Sequence, residues 1–183
     1  MAFKFSEVEI PGPIIIESSI WKDERGFFTE IFKKSDFEKF GITGFFTQEN
    51  KSFSKKGVLR GLHMQINPKA QAKLIWCVRG EIFDVAVDLR LKSPTYGKWI
   101  GINLSAENKK QFFIPEGFLH GFCVLSDEAE IVYKCTAEYD PALEKGVIWN
   151  DTAIGINWPV ENPIISERDA ALPLLENYEN YER

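Results

Sequence analysis

The chain has 183 residues, of which 44% are hydrophobic and 27% charged; that is an ordinary balance for a soluble globular protein, and 1–183 reads as a single domain long enough to bury a core. The formal net charge is −5, and no run of lysines and arginines exceeds two residues, which argues against a nucleic-acid partner. Anionic small molecules stay open, because a few arginines can converge locally whatever the total.

In chain order, "MAFKFSEVEI" has no apolar core, and Glu7 and Glu9 interrupt it, so it does not read as a secretory signal. Ser35-Asp36-Phe37-Glu38 has the form of a capping box, and Gly41 is a plausible stop, which predicts a helix of about one and a half turns. "GVLRGLHMQ" (57–65) is an apolar strand pattern carrying Arg60 and His63. "AKLIWCVRGEIFDVAVDLR" (72–90) reads as two strands joined at Arg79-Gly80, with Phe83, Val85, Val87 and Leu89 on one face. "WIGINLS", "QFFIPEG", "HGFCVLS" and "EIVYKCT" continue the series of short strands separated by turn residues. The longest uncharged stretch, 117–126, is about half of what a membrane helix needs, so no membrane partner is expected. Ser166-Glu167-Arg168-Asp169 opens a second short helical piece, curtailed by Pro173.

This pattern predicts an all-β protein, a sandwich, jelly roll or barrel with a few short helices. Fifteen Phe and five Trp favour an aromatic-rich core or an aromatic-lined pocket. Cys77, Cys123 and Cys135 are an odd number with no CxxC pair, each in an apolar stretch. They read as buried free thiols in a reducing, cytoplasmic compartment.

A β-barrel open at one end makes a natural ligand cavity, apolar in its walls with a few convergent polar groups. The candidates are the polar residues set in apolar strands: Arg60, His63, Gln65, Lys73, Asp84, His120 and Tyr133. Any single one reads more readily as a solvated strand residue; their recurrence on successive strands favours a site. A metal site is the first reading to test. "PEGFLH" (115–120) has the Pro-x-Gly-x-x-His form of the second cupin motif. The first cupin motif wants His-x-His followed by a carboxylate, yet Gln65 stands in place of the second histidine and "INPKAQAK" supplies no acid. A cupin-like fold survives this reading, whereas a 3-His or 2-His-1-carboxylate metal site lacks half its ligands.

Seven ordered blocks then carry a resemblance across nearly the whole chain: "DERGFFTEIF", "QENKSFSKKGVLRGLHMQ", "QAKLIWCVRGEIFDVAVDLR", "SPTYGKW", "IPEGFLHGFCVLSDEAE", "YKCT" and "ISERDAALPLL". The chain resembles the dTDP-4-dehydrorhamnose 3,5-epimerase family, a cupin-like jelly roll that acts on a nucleotide-linked 4-keto-6-deoxy sugar. It departs at Met64, where an aromatic is common, and at Ala72, where glycine is common; both changes are expected to alter the pocket shape slightly.

The resemblance implies a reaction that removes and replaces protons at C3 and C5, both alpha to the C4 ketone, through an enolate, with no cofactor and no metal. It makes His63 the base, since a neutral imidazole near pH 7 accepts a proton. Asp169 becomes the partner that fixes its tautomer, although Asp169 is also the fourth residue of a Ser-x-x-Asp helix cap. Tyr133 looks like the acid, and Lys73 would stabilise the enolate oxygen in a cavity shielded from water. His120 is assigned to substrate contact and Asp84 to orienting Lys73 or His63. For the dTDP moiety the resemblance points to Arg25, Arg60 and Arg168 on the diphosphate. Glu30, Gln48, Glu49, Asn50 and Glu144 are further nucleotide and sugar contacts, and Tyr139 stacks on the thymine. A homodimer is implied, with the N-terminal strands reaching the partner's sheet and pocket, so that Arg25 and Glu30 cross the subunit boundary. The alternatives are a mono-epimerase or ketoisomerase on a related sugar, a non-catalytic sugar-nucleotide binding module, and a metal cupin oxygenase.

Overall fold

The computed structural model describes residues 2–178. In chain order the strands are β1 (Phe3–Glu7), β2 (Ile14–Ser18), β3 (Ile20–Asp23), β4 (Gly26–Thr29), β5 (Gln48–Lys55), β6 (Leu59–Gln65), β7 (Lys73–Arg79), β8 (Glu81–Asp88), β9 (Trp99–Ser105), β10 (Lys110–Ile114), β11 (Phe118–Val124), β12 (Glu128–Cys135) and β13 (Glu144–Gly146). Two short α-helices, α1 (Lys34–Glu38) and α2 (Glu167–Ala170), and a 3₁₀ turn over Leu175–Asn177 complete the set.

Two antiparallel sheets face each other, in the orders β1-β2-β10-β7-β12-β5 and β13-β6-β11-β8-β9, and β3 and β4 form a separate hairpin. From β5 to β8 and again from β9 to β13 the chain passes from one sheet to the other at each step, and the result is a jelly roll, one of the architectures the short strands allowed and the cupin-like one the resemblance implied. Gly80, between β7 and β8, has φ +74°, and a Cβ there would lie 2.0 Å from the Glu128 carbonyl oxygen. That turn therefore requires glycine.

Strand alternation sorts the apolar side chains into three layers. Ile75, Ile82, Ala86, Phe112, Phe122 and Ile131 fill the space between the sheets. Ile16, Leu74, Trp76 and Phe113 lie on the outer face of the first sheet, under Phe37 of α1. Val85, Val87, Leu89 and Leu119 lie on the outer face of the second, under Val147 and Ile154. Each fully buried Leu, Ile or Phe contributes on the order of 2 kcal/mol. An exposed ion pair such as Lys4–Glu17, with side chains 73% and 41% exposed, contributes less than about 1 kcal/mol. The layers hold the fold; the surface pairs trim it.

Two expectations need correction. Helix α1 starts two residues earlier than the Ser35 capping box requires: Lys33 is its N-cap, with no side-chain hydrogen bond. Phe37 enters the outer apolar layer and sets the helix position, while Gly41, at φ +80°, follows as expected. Met64 and Ala72 do not shape the pocket, because both side chains sit in the outer layers. The three cysteines are buried and free, and among the described residues no helix is long and apolar enough to cross a membrane.

Candidate active site

The faces that pack the core turn polar toward one end of the sandwich. There β5, β6, β7, β11 and β12 enclose a cavity of about 770 Å³. Ile75 and Cys77 of β7 belong to the core, but Lys73, two residues earlier, lines the cavity. Likewise Ala129 and Ile131 of β12 are core, and Tyr133 lines the cavity.

Arg60 and His63 both line it although they are three residues apart on one strand, a spacing that simple alternation forbids. A β-bulge resolves this. Arg60 stands opposite Phe122 and His63 opposite His120, so two residues of β6 face the single Gly121 of β11. Gly61 takes φ +123°, and a Cβ on it would lie 2.6 Å from the Cα of Gly121. The bulge turns His63 inward and points the Gly61 N–H at Asp169.

His63 Nε2 lies 2.9 Å from Asp169 Oδ1, and the Gly61 N–H donates to Asp169 Oδ2 at 3.2 Å. The Ser166 hydroxyl caps α2 by accepting from the Asp169 N–H at 3.1 Å. Both sequence readings of Asp169 therefore hold together: its backbone is capped, and its carboxylate serves the histidine. Burial alone would raise its pKa, but hydrogen bonding and charge from His63, with the Gly61 N–H and Ser166, hold it down to about 2. With Nε2 committed to a carboxylate, Nδ1 is the nitrogen left to accept a proton.

His120, beside His63 across the strands, forms a second pair: its Nε2 lies 2.9 Å from Asp84 Oδ2 and 3.1 Å from Oδ1. Asp84 is fully buried. It therefore orients His120, in place of the expected Lys73 or His63, and reaches Lys73 through charge alone. Burial lowers the pKa of the Lys73 ammonium, opposed by Cys135, Glu144 and Asp84; among the described residues Lys73 makes no ion pair within 4.0 Å. Burial, with the charges of Cys135, Glu144 and Tyr139, raises the pKa of the Tyr133 phenol, so it keeps its proton at neutral pH.

Elsewhere on the cavity wall, Gln48 Nε2 donates to Asn50 Oδ1 at 2.9 Å, and the Tyr139 N–H donates to Gln48 Oε1 at 2.7 Å. Arg60 Nε donates to Ser54 Oγ at 3.0 Å. Glu144 accepts from the Tyr139 hydroxyl at 2.9 Å and from Arg168 at 2.7 Å. Three expected contacts do not line this chain's own cavity. Glu49 is on the opposite face of β5, paired with Lys134 at 2.5 Å. Arg25 sits in the β3–β4 turn, 85% exposed and paired with Asp23, and Glu30 directly follows β4; neither lines the cavity of its own chain.

Gln65 is also not a cavity residue. Its amide donates to the carbonyls of Lys69 and Glu138, and its Oε1 accepts from the Asp140 N–H at 2.8 Å. Two loops are thus tied to β6 at the position where a metal cupin would carry a histidine. Among the described residues no group of three or more His, Cys, Asp or Glu side chains is placed to hold a metal ion. Ser52, Gln71 and Cys135 line the cavity and were missed, yet alternation from Asn50, Lys73 and Tyr133 reaches each of them, and the same alternation excludes Glu49.

The family model described as dTDP-4-dehydrorhamnose 3,5-epimerase matches residues 7–177. An enzyme of that name from Shigella flexneri is 57% identical, covering 89% of this chain and 91% of its own length. Its namesake from Methanothermobacter thermautotrophicus is 52% identical, covering 96% of each. A crystal structure from Legionella pneumophila, of dTDP-6-deoxy-D-glucose-3,5-epimerase in complex with dTDP-4-keto-L-rhamnose, superposes with a TM-score of 0.93 at 48% identity over 97% of this chain and 95% of that one. With a histidine–carboxylate pair, a protonated phenol and an unpaired ammonium around one cavity, and with likeness along almost its full length, the chain belongs to the dTDP-4-dehydrorhamnose 3,5-epimerase family.

Proposed function

We propose that the chain is an isomerase that inverts C3 and C5 of dTDP-4-dehydro-6-deoxy-D-glucose to give dTDP-4-dehydro-L-rhamnose, by proton removal and return alpha to the C4 ketone. The observation that carries this reading is His63, its Nε2 held 2.9 Å from Asp169 and its ring open to a cavity shared with Tyr133 and Lys73. His63 Nδ1 takes the proton from the carbon, and Asp169 stabilises the imidazolium that forms. The electron pair moves onto the C4 oxygen, where the Lys73 ammonium meets the developing charge, beside the His120 ring that Asp84 holds in place. Tyr133 returns a proton on the other face, and its raised pKa keeps it a donor until the enolate forms. Arg60 and Arg168 supply planar donors for the diphosphate, with Gln48, Asn50 and Tyr139 at the pyrimidine end.

The working unit in this reading is a homodimer. Trp21, Phe27 and Phe28 of the β3–β4 hairpin are 49%, 58% and 65% exposed, a degree of apolar exposure that suits burial against another surface. Docking of this hairpin on a second copy would bring Arg25 and Glu30 to that copy's cavity. A cytoplasmic setting is consistent with the three free thiols.

The test is incubation of the substrate in heavy water. Deuterium is expected at both C3 and C5, and incorporation at one carbon alone would reject double inversion. Full exchange by a His63→Asn variant would refute the base assignment. Sedimentation as a monomer at micromolar concentration would reject the dimer.

A further inference from the structure

One chain of contacts at the cavity mouth has no part in the proton transfers above. The Tyr139 hydroxyl and Arg168 Nη1 both donate to Glu144 Oε2, at 2.9 and 2.7 Å, and Arg168 Nη2 donates to Oε1 at 3.4 Å. The same Nη2 lies 3.3 Å from His63 Nε2, and Arg168 Nε lies 3.6 Å from Asp169 Oδ1. The hydrogen on His63 Nε2 faces Asp169, so the guanidinium meets that nitrogen as a second donor. What it contributes there is position and charge.

Glu144 is a poor ligand for a diphosphate, because like charges repel. Its side chain is only 21% exposed, and both its oxygens are occupied by Arg168, one of them shared with Tyr139. Along the line Glu144, Arg168, Asp169 and a protonated His63 the charge alternates, and only the 3.3 Å approach of Arg168 to the His63 ring sets like charges together.

We propose that Glu144 is a positioning residue that holds Arg168 over the His63–Asp169 pair and limits its swing toward the substrate's diphosphate. The inference rests on the reading of His63 as the base. Without the Glu144 charge, Arg168 is left with two anions, Asp169 and the diphosphate, and the more highly charged one draws it away. Affinity for the nucleotide and rate of proton removal then move in opposite directions, a pattern that simple damage to the pocket does not produce.

The experiment uses full-length Glu144→Gln, which keeps an acceptor for Tyr139. Its dTDP affinity, read by calorimetry, is expected to tighten about threefold, the scale of a half-exposed ion pair. Its kcat for exchange in heavy water is expected to fall about tenfold, and in an Arg168→Gln background the same change should alter kcat by less than about twofold. A joint loss of affinity and kcat, or costs that multiply in the double variant, would overturn the proposal. Should Glu144→Gln fail to fold, Arg168→Lys at its largely exposed position gives the same readout. Lysine spans Glu144 or the histidine pair but not both, so kcat falls, and unchanged kcat overturns the proposal. His63→Asn in parallel separates the two readings: exchange surviving there removes the base, whereas exchange lost there with multiplicative Glu144 and Arg168 costs removes the positioning role alone.

Discussion

Two histidine–carboxylate pairs stand side by side in one cavity with the same 2.9 Å contact, yet they are built differently. The carboxylate of His63 arrives from α2, 106 positions away, and the ring is 18% exposed. The carboxylate of His120 comes from the adjacent strand, 36 positions away; the ring is 9% exposed and Asp84 not at all. Helix α2 also carries Arg168, which sets a half-exposed guanidinium beside the first pair. The second pair is fixed within the sheet. A group that must change charge in each turnover suits the first setting, and a stationary substrate contact suits the second.

Substitutions should separate the two. The largest expected effect is from His63→Asn, a loss of at least about 10³ in exchange rate at C3 and C5, near the full worth of a general base. His120→Asn is expected to cost only about tenfold in kcat; equal losses for both would erase the distinction. Asp169→Asn, which strands the tautomer of His63, should cost about 10²-fold in kcat; Asp84→Asn should cost less in rate and more in thermal stability, since it leaves the His120 ring without its buried partner. The reverse order for these two acids would reverse their roles.

Acid titration sharpens the same comparison. Asp169 is held at about 2 against an ordinary 3.8. Its contribution is therefore complete above about pH 4 and is lost as pH falls through 2, on the order of 2 kcal/mol. Asp88 behaves alike: burial would raise it, but Arg90, Ser93 and Thr95 hold it at about 2. Asp169→Asn and Asp88→Asn should each flatten acid unfolding followed by circular dichroism. The smallest effect on catalysis is expected from Asp88→Asn. It lies outside the cavity, so it should lower Tm by several degrees and leave kcat unchanged.

Much of this was legible in residues. The strand series gave the all-β class, because alternation and turn glycines such as Gly80 act locally, and the resemblance chose the jelly roll among its forms. His63, Lys73, His120 and Tyr133 were legible as polar residues in apolar strands, and the structure brings all four to one cavity. Asp169 could not be placed from its own segment, since Ser166-x-x-Asp169 describes a cap whichever way the carboxylate points. Asp84 was assigned to the wrong partner because cross-strand register decides its neighbour, and register is a property of two strands. Arg60 and His63 share a face only through the Gly61 bulge, which breaks the period that would have paired them. The Ser35 capping box failed for a different reason: packing of Phe37 sets where α1 begins.

Gln65 has a consequence for anyone who would convert this scaffold into a metalloenzyme. Replacing it with histidine would supply a nitrogen ligand, yet it would also release the Lys69 and Glu138 carbonyls and the Asp140 amide that its side chain now satisfies. Those are three backbone groups in two loops, and each needs a new partner. Installing an ion here is thus a problem of loop redesign, with the ligand swap its easier half.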